Sequence, residues 1–335
     1  MKRDHFSYST ILSICTFAFV FAFLLAWTFG GAALYPWQLF DSDVPEITKH
    51  ILISIRLPRI ACACLVGAAL SVAGMLSQGL FRNPLASPSV IGIESGGSFG
   101  AILAFYFGLG AYGMWTLPMF AFVGCLLITL LILSLARSSR FAAVEDLLLI
   151  GFALSAILSA ASSFFLSLSL GDFEKGPAMM NWLLGTLAGR TWDHFLLGLI
   201  PIGLGLVASH FVGYQLNILS LGSDVAQTLG VKLKRLRLQT ITLSSLLVAT
   251  SISIGGIMPF LGLVAPHISR LLVGPDHKKL LAVSALNGMT LLLLADLVAR
   301  TIIAPSELQV GVLIAMVGSP FFLFMLYHQR RSFSS

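Results

Sequence analysis

From residue 10 to residue 327 the chain alternates between long apolar runs and short polar breaks. The runs lie near 10–33, 60–80, 89–109, 114–136, 144–170, 194–212, 238–255, 257–273, 280–304 and 308–327. Each approaches or exceeds the length that crosses a bilayer as a helix, about 20 residues. The stretch 238–273 could be one helix or two. Gly255, Gly256 and Pro259 interrupt it. Lys232, Lys234, Arg235 and Arg237 precede it, and Arg270, Lys278 and Lys279 follow it. Cations collect on the cytoplasmic side, so both flanks belong there and the chain crosses twice. The pattern predicts an all-α, polytopic membrane protein with ten transmembrane helices and both termini cytoplasmic, organised as one domain over 1–335.

Two segments break the rhythm. Leu216 to Arg237, LNILSLGSDVAQTLGVKLKRLR, is a polar island between the sixth and seventh spans. It predicts a pair of short amphipathic helices over 216–230. The first runs from Leu216 through Leu219 to Leu221 and stops at Gly222. The second is capped by Ser223 and Asp224, places Val225, Ala226 and Leu229 on one face, and ends at Gly230. The other segment, 176–189, is apolar but too short to cross. It predicts a re-entrant or surface helix at the outer mouth, in the position of a gate.

Composition agrees with a membrane chain: 57% hydrophobic, 10% charged, mean hydropathy +0.94. A soluble chain of 335 residues could not cover its surface with so few charges. The pI of about 9.3 would suggest nucleic acid in a soluble protein, but here the cations follow the membrane rule and no nucleic-acid partner is expected. Fourteen of them (Lys2, Arg3, Arg82, Arg137, Arg140, Lys232, Lys234, Arg235, Arg237, Arg270, Lys278, Lys279, Arg330, Arg331) fall inside. Six (Lys49, Arg56, Arg59, Lys175, Arg190, Arg300) fall outside, which supports the orientation. The apolar run from Ile11 to Phe29 exceeds a signal-peptide core and reads as an uncleaved span. Cys15, Cys62, Cys64 and Cys125 all sit in apolar runs and read as packing residues.

Catalytic chemistry is missing. The chain has no GxxxxGK[ST] loop, so it cannot hydrolyse ATP itself. Gly92, Gly96 and Gly100 recur every fourth residue, the spacing of close helix packing in lipid. Glu94 and Asp296 are the only acids near span interiors, both close to ends, which argues against an ion-coupled secondary transporter. His267 has no second ligand at suitable spacing, so no metal site is expected. In the fifth span Gly151, Ser155, Ser159, Ser163 and Ser167 recur at i+4, with Ser162 alongside. These serines either glue helices together or form a mildly polar wall for a large solute. Arg56 and Arg59 flank Pro58 at the outer mouth of the second span, and Arg300 closes the ninth, one turn after Asp296. Such arginines either snorkel to headgroups, with Asp296 neutralising Arg300, or form a positive docking surface for an acidic partner.

Five blocks then carry a resemblance: Arg56 to Ala101, Met180 to Trp192, Leu216 to Val231, Gly255 to Leu281 and Leu291 to Leu326. Together they resemble the permease subunits of the iron-chelate and cobalamin class of ATP-driven importers, in order and over nearly the whole chain beyond the first span. The resemblance implies a second permease subunit, usually an identical one, two ATP-binding subunits, and a periplasmic or lipid-anchored substrate-binding protein, all in or on a bacterial cytoplasmic membrane. ATP and magnesium would sit on the partner ATPase, with no cofactor on this chain. It implies ATPase coupling by the segment containing Leu216, Leu219, Leu221, Gly222, Ser223, Asp224, Val225, Ala226, Leu229 and Gly230. It also implies docking of the binding protein on Arg56, Arg59 and Arg300, and a translocation path walled by the fifth and tenth spans, where Ser155, Ser159, Ser162, Ser163 and Ser167 and then Pro320 and Phe321 lie. Ser223 stands where the family's coupling pattern usually has an acid. A ferric siderophore is the expected cargo, with haem or cobalamin as alternatives.

Overall fold

Helix formation follows the apolar runs closely. The computed structural model describes residues 7–30, 34–41, 43–137 and 144–333; Lys2, Arg3 and Arg140 lie outside these. Thirteen α-helices occupy the described residues, and no strand does. They are α1 (Tyr8–Thr28), α2 (Glu46–His50), α3 (Leu57–Leu80), α4 (Ile93–Tyr106), α5 (Thr116–Arg137), α6 (Val144–Ser169), α7 (Lys175–Leu183), α8 (Trp192–Leu219), α9 (Ser223–Thr228), α10 (Leu233–Gly255), α11 (Leu261–Val273), α12 (His277–Ala299) and α13 (Val310–Phe333). A π turn, Ile51–Arg56, joins α2 to α3 without a break.

All ten expected spans have a helix. Eight helical stretches are long and apolar enough to cross a membrane. The other two, α4 and α11, have 14 and 13 residues, about 20 Å of rise each against about 30 Å of hydrocarbon. Each begins part-way along the bundle, after an irregular stretch around Pro88 and around Pro259.

At the centre stands α3, all but four of whose 24 residues are buried. It packs against α12, α10, α8 and α11, while α10 bridges to a second group formed by α4 and α5. Glycines set the separations. A Cβ on Gly74 would land on the Gly262 carbonyl oxygen of α11, and Cβ atoms on Gly67 or Gly288 would strike the other's backbone across α3 and α12. Small residues at such crossings let backbones meet closely, which is how helices associate in lipid. By contrast α6, α8 and α13 turn long apolar faces outward: Phe152, Ile157, Ile200, Leu204, Met316 and Val317 are all exposed.

The structure redraws both irregular segments. The polar island holds one short helix, not two: α8 runs unbroken to Leu219, because nothing before Gly222 breaks it and Leu216 and Leu219 bury against the bundle. The outer segment is helical only over α7. Gly185, at φ 71°, turns the chain inward, where the Thr186 N–H donates to the Gly255 carbonyl at 2.9 Å and the Gly311 N–H to the Gly185 carbonyl at 3.3 Å. Asp172 fastens the start of α7 by accepting from the backbone N–H groups of Lys175 and Glu174, both at 3.0 Å. Those two bonds hold its carboxyl below the usual aspartate range.

Candidate functional site

The first site is a knob at the basic end of the bundle, where α8 turns through Gly222 into α9. Gly222 takes φ 119°, a conformation that favours glycine. It also provides the cap that the sequence suggested for Ser223 and Asp224. Ser223 is already the first helical residue, and no side chain caps the helix. The expected single apolar face is split. Ala226 is fully buried and anchors the knob, whereas Leu221, Val225 and Leu229 are 65%, 45% and 59% exposed. Leu216 and Leu219 point into the bundle and so act as anchors, not contacts. Gly230, at φ 84°, ends the turn, and the Val231 N–H returns to the Ala226 carbonyl at 2.9 Å. Beside the knob lies a groove of about 440 Å³ bordered by Tyr214, Leu229, Lys232 and Arg235.

A clasp that the sequence reading missed fixes the knob's base. The Asn217 amide donates to Asp276 Oδ1 at 2.7 Å, and its own Oδ1 accepts the His277 backbone N–H at 2.9 Å. The same Oδ1 lies 2.8 Å from His277 Nδ1. Asp276 also caps α12 through the Lys278 N–H at 3.1 Å. Partial burial pushes the Asp276 carboxyl up, but the Asn217 and Lys278 hydrogen bonds, with Lys279 and His277 near, outweigh that and leave it below its usual range. An Asp directly before an apolar helical run is a capping signal and could have been read from the sequence. Its link to Asn217 could not.

The second site is a cavity of about 340 Å³ near the middle of α6, bounded by the start of α4, the end of α7 and the break between α10 and α11. Ser155, Ser159, Ser162 and Ser163 meet there, joined by Ser89, Glu94, Ser95 and Ser98. Gly92, at φ 85°, brings the start of α4 onto α6, where a Cβ would strike the Gly151 carbonyl and the Ser155 hydroxyl. Ser95 Oγ donates to Ser155 Oγ at 3.1 Å. Ser167, Pro320 and Phe321 do not line this cavity; the Phe321 ring packs edge-on against His267, centroids 6.2 Å apart.

At the opposite end from the knob, the three arginines are neither snorkelling nor offered to a partner. Arg56, Arg59 and Arg300 are all buried. Arg59 Nε sits 3.0 and 3.1 Å from the two oxygens of Asp296, and its Nη1 reaches both oxygens of Glu307 at 3.0 and 2.9 Å. Arg300 Nε lies 3.6 Å from Asp296 Oδ2, the pairing expected at i,i+4. The remaining donors turn to the end of α1: Arg56 donates to the carbonyls of Trp27 (3.1 Å) and Thr28 (2.7 Å), and Arg300 to that of Ala26. Carbonyls at a helix C-terminus lack intrahelical partners and carry partial negative charge, so they complete the balance of three cations against two carboxylates. In place of the open rim that the docking expectation pictured, the three arginines sit in an internal ion cluster. A charge that must be desolvated and paired inside the chain is not free at a rim.

A helical bundle of membrane-spanning length, with an exposed knob at its basic end and a hydroxyl-lined cleft open along α6, describes a multi-pass transport subunit. The chain matches the FecCD transport family over residues 18–328 and belongs to it; it is an ABC-importer permease, and so a transport subunit, not an enzyme. It is 36% identical over 304 residues to the hemin transport system permease protein of Yersinia pestis, covering 90% of each chain. It is 37% identical over 289 residues to the molybdate import system permease protein of Haemophilus influenzae, covering 86% of this chain and 84% of that one. A metal-chelate type ABC transporter solved in an inward-facing conformation superimposes with a TM-score of 0.85 at 33% identity, covering 96% of this chain and 99% of the other.

Proposed function

We propose that this permease imports a bulky metal chelate across the bacterial cytoplasmic membrane by alternating access. A ferric siderophore is the first reading. Haem, the cargo named for the Yersinia relative, is the alternative. Ten spans with both termini cytoplasmic place the knob of α9 in the cytoplasm. Working partners are a second permease, taken as an identical copy, two ATP-binding subunits that hold ATP and magnesium, and a substrate-binding protein that delivers the chelate. The rest of the surface meets lipid, through the outward apolar faces of α6, α8 and α13.

The observation that carries this reading is the knob itself. Three large apolar side chains stand exposed at the knob, Val225 on its six-residue helix and Leu221 and Leu229 flanking it. Exposed apolar residues grouped beside cations mark a protein contact, and the Asn217–Asp276 clasp makes the contact stiff enough to transmit a push. Leu229→Asp should leave the protein folded, since the side chain is exposed, yet abolish ATP-dependent uptake in the reconstituted importer. Normal uptake by that variant would overturn the coupling role. Cargo is decided by which chelate, siderophore or haem, co-purifies with the cognate binding protein.

A further inference from the structure

Among the described residues Glu94 is the one carboxylate lining the serine cavity, and the sequence reading left it without a role. It sits in the first turn of α4, and Gly92 presses that turn onto α6. Among the described residues no lysine, arginine or histidine lines the cavity. Among the described residues no hydrogen bond or ion pair to its carboxylate is found; the contrast is Asp296, which two arginines neutralise. Ser162 lines the same cavity, is 95% buried by its 5% exposure, and its hydroxyl has no hydrogen-bond partner. Glu94 is partly exposed to the cavity, and a carboxylate without a partner there, with the buried, unsatisfied Ser162 hydroxyl in the adjoining wall, marks a place where a ligand completes the bonding.

The chemistry of that ligand follows from the lining. An ionised carboxylate only accepts hydrogen bonds, and serine hydroxyls can do either. The cavity therefore suits a group that brings donors or positive charge, such as hydroxyl, amide N–H or ammonium, and opposes an oxyanion, whose charge would face Glu94 with no cation between them. Its volume of about 340 Å³ matches about ten waters at about 30 Å³ each, enough to seat a polar arm of a chelate. We propose that Glu94 is a specificity residue of the transport path, contacting the donor-bearing face of the solute and excluding oxyanions. This rests on the importer reading.

Two measurements separate the proposal from that reading. In the first, the purified full-length chain is treated with dicyclohexylcarbodiimide, which adds to the protonated form of a carboxyl in apolar surroundings and is slowed when a bound cation holds that carboxyl ionised, and the Glu94 peptide is followed by mass spectrometry. Choline, a quaternary ammonium alcohol, should slow modification at Glu94, while molybdate at equal concentration should not. An unmodified Glu94, no protection by choline, or equal protection by molybdate would each overturn the proposal, whatever the protein transports. In the second, the complete importer is reconstituted and uptake of a ferric trihydroxamate and of haem is measured. Glu94→Gln, shown to be monodisperse by gel filtration, should lower uptake of whichever chelate the parent moves by about tenfold or more, the scale of a lost hydrogen bond to a charged group. Equal uptake by parent and variant sinks the specificity role. A parent that moves neither chelate counts against the importer reading alone, and the labelling result then decides the role of Glu94.

Discussion

Arg59 shows how a single side chain can define one end of this protein. Its guanidinium spans two carboxylates, Asp296 and Glu307, and so joins α3 to the end of α12 and to the loop before α13. Asp296 is fully buried, and removing its main partner would leave it with Arg300 alone, at 3.6 Å. Arg59→Ala should cost about 3–5 kcal/mol, read as a large drop in the thermal midpoint of the detergent-purified protein. Arg59→Met with Asp296→Leu should recover only part of that loss, because the apolar pair needs no desolvation but buried Arg300 then loses its carboxylate. If the double variant melts as low as the single one, the cluster does not act through its charges. Sequence reading reached only the local half of this arrangement. Asp296 and Arg300 are one helical turn apart, and that pairing can be read directly. Arg59 and Asp296 lie 237 positions apart, and no periodicity connects them. The same blindness made buried arginines look like rim arginines: position along the chain gave their depth but not the direction in which they point.

Among the elements, α3 and α11 depend on contact so close that neither tolerates a side chain at Gly74. Gly74→Ala should destabilise the protein by about 1–3 kcal/mol through overpacking, measured by thermal melting. Gly222→Ala tests another kind of glycine, since nothing crowds it and only its backbone angle objects. At the base of the knob, Asp276→Ala removes a helix cap and the Asn217 bond together and should cost about 1–2 kcal/mol. Because the Asp276 carboxyl lies below its ordinary range when folded, the clasp contributes at neutral pH and is lost as pH falls through that lowered value. A pH titration of stability in the Asp276→Ala variant should therefore be flatter on the acid side than in the parent. Helix existence was legible nearly everywhere, because apolar runs with glycine and proline breaks are local signals. The end of α8 and the extent of α7 were not. In both, tertiary contacts set the boundary: Leu216 and Leu219 carry α8 onward by burial, and the Gly185 contact with Gly311 folds the chain away after α7.

For the molecule as a whole, the ten apolar runs and the break at Gly255–Gly256 were readable from pattern alone. The cavity was only half readable. A serine at every fourth position gave the α6 wall, but the α4 wall with Glu94 emerged only once Gly92 had placed the two helices in contact. Packing also separates the helices into a buried frame around α3 and a loosely held periphery. Exposed apolar side chains on α6, α8 and α13 then fit lipid and a second permease, the surroundings of the proposed importer.

The arginine cluster also has a consequence for the order in which the chain is made. The first helix emerges first, yet it packs chiefly on α12, and the donor for its Ala26 carbonyl is Arg300, 274 residues later. At about 5–20 residues per second, α1 must wait on the order of tens of seconds for the partner that holds it. During that interval its C-terminal carbonyls depend on water, lipid headgroups or the insertion machinery. Biogenesis of this permease therefore ends by recalling its own first segment from the lipid, and a chain truncated before α12 should leave Ala22 and Ala26 open to lipid-phase labelling that the finished protein resists.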